Sequence, residues 1–453
     1  MPQIPSSCQS VPVARLVSCV NLWYDGGMAK SRYVLALIAA LVLLGVGLLA
    51  CPALIRALPG RYAYYLPQPL QELRHNPHPD TLPTPARAHT PTPAPANTPI
   101  PSPSHTPTLP PFTSTPSPTP TPTVTPPISL TLSGLRHEHQ GWNNCGPATL
   151  AMALSYWGRG ETQYDVAPVL KPDPEDKNVS PWEMESYARG LLPSASGGVG
   201  AIVRVGGTLE RLKTLLRARF PVLVETWYVR DAHDQLGHYR LIVGYDDAAG
   251  QFITYDSLHG PDVTIGYREL DELWRVFNRT YLVVYAPERW EALAAVLGPD
   301  MGDAAMYERA LETVRVEAVT PPESCVAYAD CADWVTFSWF SAGSSLTSLG
   351  RHAEAAVAYD QARQLGLHYR MLWYQFGPYE SYYAVGRYDD VIALADATLA
   401  TANNLEESYY WRGMARLAQG DADGARADFE AALRYHENWP PAVIALAGVS
   451  DSS

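Results

Sequence analysis

The sequence predicts a multidomain chain. An α+β domain over 129–290 is followed by an all-α helical array over 300–453, and both are preceded by a transmembrane helix and a disordered Pro/Thr-rich stalk. Three observations predict this order. Tyr33 to Ile55 is an apolar run without a charge, and 21 of the 41 prolines then crowd between Pro67 and Pro127. Beyond residue 129, helix-period and strand-period segments mix, until an alanine-rich helical pattern takes over near Tyr307. At 453 residues and 47% hydrophobic content the chain can bury real cores. A formal net charge of −13 argues against nucleic acid and against basic membrane-surface binding. Six cysteines, at 8, 19, 51, 145, 325 and 331, do not make a disulfide-stapled miniprotein.

Residues 1–32 carry no structural pattern, and Met28, followed by Lys30 and Arg32, reads as an alternative start. The run 33–55 is long enough to cross a bilayer and longer than most cleaved signal segments. It is read as an uncleaved signal anchor. Lipidation at Cys51 is the alternative, poorly supported by Leu49 and Pro52 around it. Lys30 and Arg32 before the run are balanced by Arg56 and Arg61 after it, so charge does not orient it. The low-complexity segment 66–128 cannot build a core, and as a polyproline stalk it reaches on the order of 190 Å. A stalk beside a span suits domains held outside the cell membrane. A cytoplasmic disordered linker is the other reading.

Within 129–290, Leu150, Ala153, Leu154 and Trp157 predict a helix that begins near Cys145 and buries one face. Ser180-Pro181-Trp182-Glu183 is a capping box that starts a second helix. Leu209, Leu212 and Leu216 mark a third over 208–218. Strands are read at 220–229 and 281–285, and a hairpin joins 238–245 to 251–256 through Asp246-Asp247-Ala248-Ala249-Gly250. Residues 267–276 read as helix. Helices first and hairpins later give α+β rather than a parallel sheet.

The C-terminal region repeats with a period near 34. Gly343, Gly350, Ala355, Tyr359 and Ala362 recur as Gly413, Gly420, Ala425, Phe429 and Ala432, with a weaker copy around Gly386 and Tyr388. This is similar to a tetratricopeptide array of about three helix pairs. Such arrays bind proteins or peptides; the other reading is a plain helical cap on the neighbouring domain. Tyr374, Tyr379, Tyr382 and Tyr383 are read as groove-lining or, more often in such arrays, packing residues.

The chemistry centres on Gln140-Gly-Trp-Asn-Asn-Cys145-Gly-Pro. A thiol at a helix N-terminus feels the positive end of the macrodipole, which favours the thiolate. An inert core cysteine is the competing reading. Gln140 offers an amide to an oxyanion. His238 opens one hairpin strand and Asp256 closes the other, so the fold of the hairpin brings a base and its orienting carboxylate together. On that arrangement the thiol and imidazole are expected to rest as an ion pair.

Gln140…Asn144-Cys145-Gly-Pro-Ala, Gly237-His238-Tyr-Arg-Leu-Ile-Val-Gly-Tyr-Asp246 and Tyr255-Asp256-Ser257 resemble papain-like cysteine peptidases of the bacteriocin-processing (double-glycine) group, the stand-alone bacterial type in particular. The resemblance covers about 129–288. It implies Cys145 as nucleophile, His238 as general base, Asp256 as orienting group and Gln140 as oxyanion donor. Ser257 stands where the family often has proline, and no ATP-binding cassette accompanies the domain, which removes support for leader cleavage during export.

His233 and His259 are rival bases, and Asp246 and Asp247 read as turn residues. His137 and His139 flank Glu138 without a further ligand cluster, so a solvated loop is expected and no metal or cofactor. Cys325 and Cys331 are candidates for a small disulfide outside the cell. The expected function is a membrane-anchored cysteine peptidase acting on a peptide or protein, with the repeats recruiting substrate or partner. A catalytically idle binding scaffold and an acyltransferase using the same cysteine are the alternatives.

Overall fold

The computed structural model describes residues 81–85, 126–191, 198–228, 236–320 and 331–450. All of them lie in one compact unit, Asn76–Ser453. Among the described residues no helix is long and apolar enough to cross a membrane. The expected span at 33–55 lies outside them, as do residues 1–32, most of the stalk, His233 and Cys325.

The α+β domain is built on one antiparallel sheet in the order β2-β7-β3-β4-β5-β6. The strands are β2 (Gly200–Arg204), β3 (Val222–Trp227), β4 (Gly237–Asp246), β5 (Gln251–Asp256), β6 (Gly260–Gly266) and β7 (Tyr281–Tyr285). A short β1 (Ser129–Thr131) pairs with the far end of β4. There Gly244 is required, because a Cβ would fall 2.6 Å from the Leu130 carbonyl oxygen. The central strands β3 and β7 are buried along nearly their whole length.

Each face of the sheet carries its own apolar layer. On one face lie Leu223, Tyr239, Leu241 and Val243, packed against α1 (Cys145–Tyr156), α2 (Gln163–Leu170) and α3 (Pro181–Gly190). The sequence pattern predicts one buried stripe on α1, yet every residue from Gly146 to Leu154 is buried. Flanking helices and sheet enclose it on all sides, which suits its small residues. The predicted capping box forms at α3, where Ser180 Oγ accepts from the Glu183 amide at 3.3 Å. On the other face, Val222, Val224, Ile242 and Val283 meet α4 (Leu209–Arg217) and α5 (Tyr267–Trp274).

That second layer does not stop at the domain edge. Phe337, Phe340, Tyr359 and Met371 belong to the same buried cluster, so the helical array shares a core with the α+β domain. After α6 (Trp290–Leu297), the array comprises α7 (Asp303–Val319), α8 (Cys331–Ser348), α9 (His352–Gln364), α10 (Gly377–Ala384), α11 (Tyr388–Thr401), α12 (Glu406–Ala418), α13 (Ala422–Tyr435) and α14 (Pro440–Ser450). The repeat glycines have a packing reason. A Cβ at Gly343 would meet the Tyr359 ring at 2.5 Å, and one at Gly413 would meet the Phe429 ring at 2.6 Å. In each pair the small residue of the first helix admits the aromatic of the second. Tyr379 and Tyr382 are fully buried packing residues.

The stalk is not wholly free of contacts. Thr81 bridges His368, the Leu82 amide donates to the Leu367 carbonyl at 2.8 Å, and Leu82 is buried. Arg363 Nε also donates to the Pro83 carbonyl at 2.7 Å. Composition predicts no core contact here; a single leucine, Leu82 between Thr81 and Pro83, suffices to dock one short stretch.

Gly413→Val is expected to lower the unfolding midpoint by several degrees, because the branched side chain must displace Phe429 at about 1–3 kcal/mol. Thermal unfolding followed by circular dichroism measures it, and an unchanged midpoint contradicts the packing account.

Candidate active site

Cys145 is the first residue of α1, and its position is set from both sides. Before it, the loop 138–144 is held by Gln163, which is 1% exposed. Gln163 Oε1 accepts from the Gly141 amide at 2.6 Å and Asn144 Nδ2 at 3.1 Å, while its Nε2 donates to Glu138 Oε1 at 3.0 Å and the His139 carbonyl at 2.7 Å. Lys171 is also buried and donates to the carbonyls of Asn143, Pro174 and Asp176 at 3.1–3.3 Å. After it, Thr149 Oγ1 donates to the Tyr239 carbonyl at 3.4 Å, fixing α1 against β4.

The start of β4 receives the thiol. β4 pairs with β3 from Gly237 onward, but with β5 only from Arg240 onward. Residues 237–239 therefore form an open edge. Leu236 gives its carbonyl to the Tyr228 amide, so by alternation the amides of Gly237 and Tyr239 point away from β3. The Tyr239 ring lies against the first turn of α1, 3.5 Å from where a Cβ on Gly146 would fall, and Tyr239 lines one cavity with Cys145.

His238 and Asp256 are brought together as the hairpin predicts. His238 Nε2 lies 3.1 Å from Asp256 Oδ1, with both residues buried. Arg240 Nε sits 3.4 Å from Oδ2 of the same carboxylate, and the amides of Leu258 and His259 donate to Oδ1 at 2.9 and 3.1 Å. Burial pushes Asp256 up, but the His238 hydrogen bond and charge, the Leu258 amide and Arg240 outweigh it and hold the carboxyl well below its usual range. An ionised Asp256 fixes the proton of a neutral imidazole on Nε2 and leaves the lone pair on Nδ1.

The charge states differ from the expected ion pair. Burial pushes the Cys145 thiol up, and the Tyr239 amide, the Lys171 charge and the Gly146 amide do not reverse it. Burial also lowers His238, against the opposing Asp256 hydrogen bond. Thiol and imidazole both rest neutral, because desolvation exceeds what the helix terminus and carboxylate return. Among the described residues no hydrogen bond joins Cys145 to His238.

Gln140 is oriented by Ser257. Ser257 Oγ donates to Gln140 Oε1 at 2.8 Å, and the Gln140 amide donates to the Ser257 carbonyl at 2.8 Å. With Oε1 accepting, the side-chain NH2 is the free end of Gln140. A proline could not make the first of these bonds.

The rival residues have other work. His259 lies 2.9 Å from the Tyr228 hydroxyl and stacks on its ring. His137 Nε2 is 2.9 Å from the Asp256 carbonyl, and Glu138 accepts from Gln163, so this stretch is a half-buried, tied loop rather than the solvated one expected. Among the described residues no group of histidine, cysteine, aspartate and glutamate is arranged to hold a metal ion. Asp246 caps the turn amides of Ala248 and Ala249, as its turn role predicts.

Several residues here carry no motif. Cys145, Asn178, Glu225, Gly237, Tyr239 and Tyr374 line one cavity. Glu225 is buried opposite Tyr239 in the β3–β4 register, and burial raises its carboxyl to about 8. Tyr239 Oη donates to the Val179 carbonyl at 2.7 Å. Gln163, Lys171 and Glu225 lie far in sequence from Cys145, and no spacing rule points to them.

Residues 132–286 match the Peptidase_C39 like family, about a third of the chain. The match supports a papain-like cysteine peptidase domain and does not extend into the helical array. No curated protein and no solved structure matches the chain.

Glu225 gives this site a pH signature in stability. Its folded value of about 8 lies above the unfolded carboxylate value of about 4.3. The folded chain therefore holds an extra proton between these values, and its contribution is full below about pH 4.3 and lost as pH rises through about 8. Glu225→Gln should gain stability relative to wild type at pH 9 compared with pH 4, on the order of a few kcal/mol. Urea unfolding at the two pH values tests this, and an equal difference at both contradicts the burial account.

Proposed function

We propose that the α+β domain is a cysteine peptidase that cleaves peptide or amide bonds through an acyl-enzyme. The observation that carries this reading is the buried His238–Asp256 hydrogen bond on the strand against which the helix that begins at Cys145 is docked through Thr149 and Tyr239. The family match over 132–286 supports it.

In this reading His238 Nδ1 takes the thiol proton as Cys145 Sγ attacks the carbonyl carbon. The new C–S bond pushes the carbonyl electron pair onto oxygen. The amide group of Gln140 and the amides at the start of α1 stabilise that oxyanion. Asp256 stabilises the imidazolium, which gives its proton to the departing amine as the C–N bond breaks. Water then repeats the sequence on the thioester, with His238 again as base. Proton transfer accompanies attack, since both partners start neutral. Burial of a neutral thiol leaves it inert until a substrate carbonyl arrives.

The wider reading keeps the chain tethered to a membrane by the apolar run 33–55, with peptidase and tetratricopeptide-type repeats outside the cell. It rests on that run and on the proline-rich segment after it. Repeats of this type bind peptides, which suits a role in presenting substrate.

With p-nitrophenyl acetate as acyl donor, wild-type protein should release about one equivalent of p-nitrophenol in a burst and carry one acetyl group on Cys145. Cys145→Ala should show neither, and His238→Ala and Asp256→Asn should slow the burst by on the order of 10²–10⁴. Stopped-flow absorbance and intact mass check this; an undiminished burst in His238→Ala would falsify the assigned base.

A further inference from the structure

The helical array reaches into the cavity at Cys145. Tyr374, which follows the 3-10 turn Tyr369–Trp373, lines that cavity together with Cys145, Gly237 and Tyr239. Its ring is fixed between the two domains, with its centroid 6.0 Å from that of Trp227 and 5.8 Å from that of Phe277. A Cβ at Gly237 would fall 2.9 Å from the Tyr374 ring, so only glycine there admits it. The next residue is also anchored, since Gln375 Nε2 donates to the Val276 carbonyl at 3.3 Å.

The open edge of β4 presents two outward amides. The first, at Gly237, lies beneath the Tyr374 ring, and the second, at Tyr239, lies beside the first turn of α1, where Cys145 sits. The Tyr374 phenol therefore sits at this edge, in the cavity that Cys145 lines, with a hydroxyl proton to donate. Two residues of strand separate the two amides, or about 7 Å. During attack the scissile carbonyl oxygen lies within about 3 Å of sulfur. Tyr374 is therefore too far along the edge for that oxygen and well placed for the next carbonyl of an extended peptide.

We propose that Tyr374, supplied by the helical array, is a substrate-binding residue of the Cys145 site whose hydroxyl donates to the main-chain carbonyl of the residue beside the scissile bond. This rests on the peptidase reading above. It makes the array part of the active site, so that the α+β domain alone lacks a piece of its substrate cleft. The ligand class is an extended peptide, because a small acyl group does not reach the phenol.

The test compares two electrophiles on the full chain, with reaction at Cys145 read by mass spectrometry of its peptide. Iodoacetamide has no peptide arm. A peptidyl vinyl sulfone has one; its alkene carbon takes the sulfur and the adjacent carbon takes a proton. In Tyr374→Phe the vinyl sulfone rate should fall about tenfold while the iodoacetamide rate stays within about twofold of wild type. Phenylalanine keeps the ring packed against Trp227 and Phe277, so folding is expected to survive. Gly237→Ala, which drives a methyl group against the Tyr374 ring, should lower the vinyl sulfone rate more than the iodoacetamide rate, from the other side of the contact. Equal rates of both reagents in Tyr374→Phe and wild type overturn the proposal, and so does an equal fall in both. Wild-type Cys145 that resists both reagents at every pH instead sinks the peptidase reading, and this assignment with it.

Discussion

The site depends on one contact, the docking of the N-terminus of α1 (Cys145–Tyr156) on the unpaired start of β4 (Gly237–Asp246). β5 (Gln251–Asp256) begins to pair only at Arg240, which leaves Gly237 and Tyr239 open to the cavity that Cys145 lines. Strand alternation does the rest. Tyr239 faces α1 and helps form its bed, while His238 and Arg240 turn to the other side and meet Asp256 across the hairpin. A one-residue slip in β4 would exchange these roles and dismantle the site. Register is held by the buried Leu241 and Ile242 on opposite faces and by the tight Gly244 contact with β1 (Ser129–Thr131).

The second organising feature is the core shared with the helical array. Arg275 stacks on Trp334 with its guanidinium carbon 3.6 Å from the ring centroid, and Asn278 Nδ2 donates to Ser345 Oγ at 3.0 Å. On the other side, Asn404 Nδ2 donates to Asp173 Oδ2 at 3.0 Å. Apolar cluster, cation–π contact and polar bonds together make the two parts a single packed body rather than beads on a linker. A residue such as Tyr374 comes to line the cavity at Cys145 because the two parts share that core.

The sequence carries the elements that obey local rules. The capping box at Ser180, the turn at Asp246–Gly250 and the helix starting at Cys145 are read from short patterns, and the hairpin alone predicts the His238–Asp256 pair. The strands β2 (Gly200–Arg204) and β6 (Gly260–Gly266) have no comparable signature, since Pro261 and Gly260 read as turn residues and β2 is a short apolar run. What escapes is whatever depends on distant chain meeting. Gln163 organises the loop before Cys145 from 18 residues beyond the cysteine, and Glu225, Lys171 and Tyr374 converge from separate elements. The thiol's charge state escapes for a related reason. A helix terminus can be read from sequence, but the burial that outweighs it comes from tertiary packing.

The central claim is that burial keeps the Cys145 thiol and the His238 imidazole each uncharged until a substrate carbonyl is in place. The most direct measurement is the pH dependence of Cys145 alkylation by iodoacetamide. The account predicts an apparent thiol value above about 8.5, the unperturbed one, with little change in His238→Ala. A value well below about 8.5 that rises when His238 is removed would show a preformed ion pair and contradict the account.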